Sequence, residues 1–367
     1  MGTLQLQGRL TEGVHWSVGG LLAESEGRTW RTAAEFVIQP GGGHEIQTGA
    51  GAGAGQSRSL LPGHSPLAER AVGAFFLTDR WRVGERLTTT FGARYTYIGF
   101  LSDSHHADAI IQIELRGDPE TLVHGSVATR TIAPGGDLLT LSTVSASPAI
   151  TWAQLDSGLR PARALRAELG VDRSFGASTV GAFAFHERTR DQLWTAFENG
   201  NALRVRNGGD VGVQGLGFTL GSGFGQALRG SVTYTFGRGM RQGAPTFGAR
   251  AAALGFEEAE FHDLVARLET FIGWSNTRVA ALYRVNALSE EGEETRLNPY
   301  EGPLATTRFD LQVTQRLPFL QPLTRADWDL LLAVSNLFYE ASEAGFLDEL
   351  AVQDPPTRVV GGISVRF

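Results

Sequence analysis

Thr357-Arg-Val-Val-Gly-Gly-Ile-Ser-Val-Arg-Phe367, the last eleven residues, decides how the rest of the chain is read. Laid out as an extended strand, Val359, Ile363, Val365 and Phe367 fall on one face, with Gly361 between them. Arg358, Gly362, Ser364 and Arg366 fall on the other, where Val360 is the single apolar residue. The chain then stops on an aromatic side chain. A soluble domain gains little by burying its extreme end, whereas a closed sheet needs a last strand to shut against an early one.

The same two-residue period recurs upstream. Leu4, Leu6 and Leu10 alternate with Gln5, Gln7 and Arg9. Val14, Trp16 and Val18 alternate with His15, Ser17 and Gly19, and Trp30, Ala34, Phe36 and Ile38 oppose Arg31, Ala33 and Glu35. The cleanest case sets Leu87, Thr89, Phe91, Ala93, Tyr95 and Tyr97 against Thr88, Thr90, Gly92, Arg94 and Thr96. Ile111, Ile113 and Leu115 face away from Gln112, Glu114 and Arg116; Leu165, Ala167, Leu169 and Val171 face away from Arg166, Glu168 and Asp172. Gly49-Ala-Gly-Ala-Gly-Ala-Gly55 reads equally as low-complexity sequence or as small residues on a strand. Further strands are expected at 178–190, 209–221, 226–238, 261–273, 276–287, 306–317 and 326–339, giving about 17 in all. No amphipathic helix is required.

Connection lengths alternate. Short turns fall near 39–42, 81–85, 117–120, 174–177, 222–225 and 273–276, with a slightly longer proline-containing one at 318–325. Longer loops fall near 53–69, 131–162, 191–208, 239–260, 288–305 and 340–357. Strands of about 10–13 residues exceed the roughly 5–6 of a soluble sandwich and match the 9–11 that cross a bilayer. Trp81, Phe175, Phe224, Trp274, Phe319 and Phe367 gather at the short-turn end, where an interfacial girdle belongs. The reading is therefore all-β: a transmembrane antiparallel barrel of about 16–18 visible strands, integral to a bacterial outer membrane and in contact with its lipid. The 47 glycines, zero cysteines and net charge of −7 agree with this. They exclude thiolate chemistry, a disulfide scaffold and a phosphate-binding nucleic-acid surface.

The tail resembles the closing strand of outer-membrane barrels, whose assembly signal is a glycine, a hydrophobic residue three later and an aromatic two beyond. Here these are Gly362, Val365 and Phe367; the resemblance implies that the barrel-assembly machinery reads them. Val360 replaces the polar residue usual before that glycine. Thr78-Asp-Arg-Trp-Arg-Val83 with Arg86-Leu-Thr-Thr-Thr-Phe-Gly-Ala-Arg-Tyr95, then Leu159 to Val171, Arg308-Phe-Asp-Leu-Gln-Val313, Val334-Ser-Asn-Leu-Phe338 and the closing strand together resemble TonB-dependent receptors. That family's barrel has 22 strands, an N-terminal plug and a box that engages the energy-coupling protein TonB. No plug, box or signal peptide is legible from Met1 onward. The expectation is one barrel domain over 1–367, the distal part of a longer 22-strand protein whose plug and first strands lie upstream. TonB is then a partner only if that plug and box exist. Its closing strand should pair with 326–339 on one edge; the other has lost its natural partner or closes against 3–10.

The resemblance implies uptake of a small ligand captured by the long outer loops; a passive porin and a non-transporting surface-binding barrel stay open. Neither cofactor nor catalysis is expected. Arg94, Arg166, Glu168, Arg284, Arg308 and Asp310 are the candidate lumen-facing contacts, serving the ligand or the barrel's own charge ladders. His105-His106 with Asp103 and Asp108 lack metal-ligand spacing. Glu290 to Glu294 lacks the alternation of a calcium loop. In Gly215-Leu-Gly-Phe-Thr-Leu-Gly221 the third glycine comes one position late for a dinucleotide motif, and no helix follows. Gly221-Ser-Gly223 sits in a tight turn, and His186 and His262 at strand ends have no partner readable in sequence.

Overall fold

The computed structural model describes residues 2–24, 27–57, 70–99, 101, 103–132, 151–155, 160–198, 202–207, 210–224, 227–242, 256–290, 304–320, 322, 327–335 and 358–366. The chain forms two compact units. The first comprises Met1–Gly135, Ser145–Leu169 and Glu187–Asp210; the second comprises Gly136–Val144, Gly170–His186 and Val211–Phe367.

The first unit is an antiparallel meander. Its strands are β1 (Gly2–Thr11), β2 (Val14–Glu24), β3 (Gly27–Gly41), β4 (His44–Ser57), β5 (Arg70–Val83), β6 (Leu87–Ile98), β7 (His105–Arg116) and β8 (Thr121–Ile132). Each pairs with the next in sequence. The register sorts most apolar side chains to one face and most polar ones to the other, with Phe76 an exception on the polar side. Trp81 stands opposite Thr89 and Phe75 opposite Tyr95, while Arg82 stands opposite Thr88 and Phe76 opposite Arg94. The alanine-glycine run is resolved as strand β4: small residues leave its hydrogen-bonding groups free to pair along both edges.

The chain continues through β9 (Thr151–Leu155), β10 (Ala162–Phe175), β11 (Ser178–Arg190), β12 (Leu193–Glu198) and β13 (Ala202–Asn207). In β10 the alternation is unbroken: Leu165, Ala167, Leu169 and Val171 are exposed, and Arg166, Glu168 and Asp172 are partly covered. β12, β13 and β9 form a separate three-stranded sheet, with the β13–β9 pair parallel. This corrects the reading of 131–162 and 191–208 as loop throughout. Their strands are only five or six residues long, too short to show a period.

The second unit continues with β14 (Val211–Phe224), β15 (Leu228–Gln242), β16 (Phe256–Ile272), β17 (Thr277–Glu290), β18 (Leu304–Arg316), β19 (Asp327–Ser335) and β20 (Arg358–Arg366). It too is a meander of sequential antiparallel pairs. A 3-10 turn at Pro318–Leu320 occupies the proline-containing connection. Among the described residues, seventeen strands, all but β9, β12 and β13, belong to one sheet. β20 pairs with β19 as expected, placing Val359, Gly361, Ile363 and Val365 opposite Val334, Leu332, Leu330 and Trp328. Phe367 lies outside the described residues.

The apolar face is the exposed one in both units. Phe75, Phe91, Ile111, Ile113 and Leu169 are about half exposed in the first; Phe218, Leu220, Leu268 and Leu332 are so in the second. A folded chain leaves that much aliphatic surface uncovered where lipid, not water, is the neighbour. Polar residues line the opposite face. The short turns are stitched to one another: the Gly13 carbonyl accepts from Gln39 N at 2.8 Å, that of Gly43 from Arg82 N at 2.9 Å, and that of Arg86 from Arg116 N at 2.7 Å. The second unit repeats the device, with Ala227 accepting from Phe271 N at 2.8 Å and Asn276 from Arg316 N at 3.1 Å. Gly43 holds φ +82° to present its carbonyl, and a Cβ there would strike the Arg82 carbonyl.

Candidate functional site

The polar face carries the candidate chemistry, and the strand register fixes its partners. In the first unit Arg166 donates from Nη2 to Glu168 Oε2 at 2.8 Å and from Nη1 to Glu187 Oε2 at 3.4 Å. The expected Arg166–Glu168 pair is thus present, joined by Glu187 from the neighbouring β11. Arg94 is exposed on this face, opposite Phe76 on one side and Asp108 on the other. Nearer the short turns, Arg80 pairs with Glu114 at 3.2 Å across β6. Glu45 accepts from Gln39 at 3.3 Å, and Gln112 donates to Glu114 at 2.9 Å. Arg80, Arg82, Arg86, Arg116, Glu45, Glu85 and Glu114 surround a cavity of about 370 Å³ at this rim.

In the second unit Arg308 and Asp310 pair at 2.7 Å. Arg284 lies directly opposite Arg308 in register but turns the other way, donating from Nε to Asp263 Oδ1 at 2.7 Å. The Asp263 side chain is only 9% exposed, so its charge is held by the guanidinium rather than by water. Beside this pair the face becomes apolar. Phe185, Val211, Val213 and Phe261 form a buried cluster with Phe183 packed on it, and Phe261 is fully buried. The glycines of β14 make room for the rings. Gly217 lies under Phe183, whose ring a Cβ there would strike; at Gly215 a Cβ would strike the Phe236 carbonyl and press on the Phe185 ring. Within the Gly215–Gly221 run, Gly215 and Gly217 are therefore a bed for aromatic side chains.

The remaining candidates separate. His105 and His106 are neighbours on β7 and project to opposite faces. The His105 imidazole Nδ1 lies 2.5 Å from the Tyr95 hydroxyl, whereas buried His106 accepts from Arg163 Nη2 at Nδ1, 3.3 Å away. They do not converge on a common point. Asp108 accepts from the Thr131 hydroxyl at 2.9 Å. His262 has a partner after all, Tyr234, whose hydroxyl is 2.7 Å from its Nδ1. His186 is exposed on the apolar face of β11. Ser222 hydrogen-bonds Ser178 at 2.9 Å near the turn. Residues 291–294 of the acidic run lie outside the described residues. Gly362 and Val365 stand opposite Leu331 and Trp328.

The family model for the TonB dependent receptor-like β-barrel matches residues 2–337, nearly the whole chain. The chain belongs to this family. TonB-dependent receptor barrels are integral to the outer membrane, which accounts for the exposed apolar face and assigns the short turns to the periplasmic side. Solved structures share the fold. The siderophore receptor PirA from Pseudomonas aeruginosa superposes with a TM-score of 0.53 at 12% identity, over 92% of this chain and 58% of that one. The ferric enterobactin receptor PfeA from the same organism, in complex with enterobactin, gives 0.52 at 13% identity, over 99% and 61%. The iron transporter FrpB from Neisseria meningitidis gives 0.50 at 11%, over 99% and 61%. The chain thus spans about three-fifths of the length of these receptors. No curated protein matches its sequence. The family comprises receptors and transporters and is not an enzyme class.

Proposed function

We propose that this TonB-dependent receptor barrel imports a scarce small ligand captured on its outer side, with TonB supplying the energy. In this reading residues 1–367 act as one transmembrane domain, and the plug and TonB-engaging box belong to a segment outside them. The observation that carries it is the match over residues 2–337 to a sheet whose faces segregate lipid-facing from water-facing residues. Similar solved structures are receptors for siderophores and an iron transporter, so iron chelates are the first ligands to try. Arg94, Arg166, Glu168, Arg284, Arg308 and Asp310 line the water-filled path; Arg166–Glu168–Glu187 and Arg284–Asp263 hold the wall, and more exposed Arg94 is free to meet cargo or plug.

The test is growth of cells expressing the protein on iron supplied only as defined chelates, with and without TonB. A growth advantage on at least one chelate, abolished when TonB is deleted, is expected. An advantage that survives the deletion, or a steady ligand-independent conductance in planar bilayers, overturns the proposal in favour of a passive pore.

A further inference from the structure

Four arginines gather at the short-turn end of the first unit's polar face. Arg80 and Arg82 stand at the end of β5, Arg86 in the turn between β5 and β6, and Arg116 at the end of β7. Together with Thr88 and three glutamates they surround the cavity of about 370 Å³. Arg82 stands opposite Thr88, and Thr88 opposite Glu114, so three adjacent strands set these residues on one face. The Arg86 carbonyl accepts from Arg116 N at 2.7 Å, which holds the turn that carries Arg86 against the strand that carries Arg116. The chain as a whole has a formal charge of −7, so its composition does not account for a local excess of cations.

Two of the three lining carboxylates are engaged. Glu114 is held by Arg80 at 3.2 Å and by Gln112 at 2.9 Å, and Glu45 by Gln39 at 3.3 Å. Asp118, in the turn after Arg116, accepts from the backbone amides of Glu120 and Thr121 at 2.8 and 2.7 Å. Among the described residues no acceptor reaches the guanidinium groups of Arg82, Arg86 and Arg116, and all three residues are exposed. Glu85, in the same turn as Arg86, is the third lining carboxylate. Three like charges on one rim repel one another unless an anion lies among them. Guanidinium groups present paired donors that match the oxygens of carboxylate and phosphate. The cavity volume lies at the small end of the range for ligand sites.

We infer that this rim cavity is a binding site for a small multivalent oxyanion, a polycarboxylate or a phosphate ester, held by Arg82, Arg86 and Arg116. Arg80 and Glu114 stay paired and form part of the wall. The bound anion ties β5, the following turn and β7 together through side chains, beside the backbone bond from Arg116 to Arg86. Glu85 opposes it. Binding here requires neither TonB nor imported cargo, so its failure and the failure of the import reading are separate results.

The test is titration calorimetry of the full chain in micelles of an uncharged detergent, with pyrophosphate, citrate and acetate. Saturable binding of one multivalent anion per chain is expected, weakening as salt is raised, with no saturation by acetate over the same range. Arg82→Gln, Arg86→Gln and Arg116→Gln should each weaken binding by about tenfold, as expected for loss of a charge-assisted hydrogen bond. Glu85→Gln should strengthen it by about twofold, because it removes a like charge in a screened setting. That gain is not produced by mere damage to the rim, and it carries the test if an arginine variant fails to fold. Binding of pyrophosphate alone supports the inference with phosphate as the group held, and binding of citrate alone supports it with carboxylates. Absence of saturable binding overturns it, as do acetate binding as tightly as the multivalent anions and unchanged affinity in all three glutamine variants. A hexaglutamate peptide that binds where neither small anion does also overturns it, and makes the rim a protein-docking surface.

Discussion

The polar faces of the two units solve one problem in opposite ways. In the first unit the face stays charged: Arg166 binds two glutamates, Arg80 binds Glu114, and a charged cavity opens near the short turns. In the second, charge gives way to a dry cluster of Phe185, Val211, Val213 and Phe261 beside the Arg284–Asp263 pair. The difference lies in one strand. β14 places Gly215 and Gly217 on its inner face, and the rings of Phe185 and Phe183 from β11 lie over the space those glycines leave. Alternation decides which side of a strand meets water. Side-chain volume on the neighbouring strand decides whether the water stays.

Removing the cluster's centre should break that contrast most. Phe261→Ala is expected to lower stability in lipid vesicles by about 3–5 kcal/mol, read as a lower urea midpoint, because a fully buried ring leaves a cavity. Filling the bed should cost less. Gly217→Val is expected to destabilise by about 1–3 kcal/mol through collision with Phe183. Phe183→Ala should recover part of that loss in the double variant, and no recovery would show that the ring is not the obstacle. The charged face should respond least. Arg166→Gln leaves Glu168 and Glu187 side by side, yet its side chain is a third exposed and water screens the remainder. About 0.5–1 kcal/mol is expected, shrinking in high salt. A salt-independent loss as large as that of Phe261→Ala would erase the distinction between the two faces.

Strand positions were legible because period-2 alternation survives wherever one face meets lipid. β10 shows it residue by residue, and the closing strand has the predicted partner. Ion-pair partners were less legible. Arg166 and Glu168 are two residues apart on one strand, so their pairing follows from the pattern alone. Glu187 and Asp263 each lie 21 residues from their arginine. Only the register, set by the turns between, brings them there. The Tyr–His pairs were hidden for the same reason, since each joins neighbouring strands diagonally. β9, β12 and β13 were missed because strands this short carry no measurable period. The aromatic cluster was missed because the glycines that accommodate it read as turn or motif signals.

The stitching of the short turns bears on how such a protein changes over generations. Within each unit, hairpins such as β3–β4 accept a backbone bond at the turn from the next hairpin and donate one to the turn before, as Gly43 and Gln39 do. The bonds involve main-chain atoms, so apart from a glycine where the turn requires it, as at Gly43, they make little demand on which residues occupy the rim. A hairpin duplicated or deleted as a whole leaves its neighbours with a matching donor and acceptor. The number of strands in a lineage can therefore move in steps of two, by copying, without any new contact having to be invented at the seam.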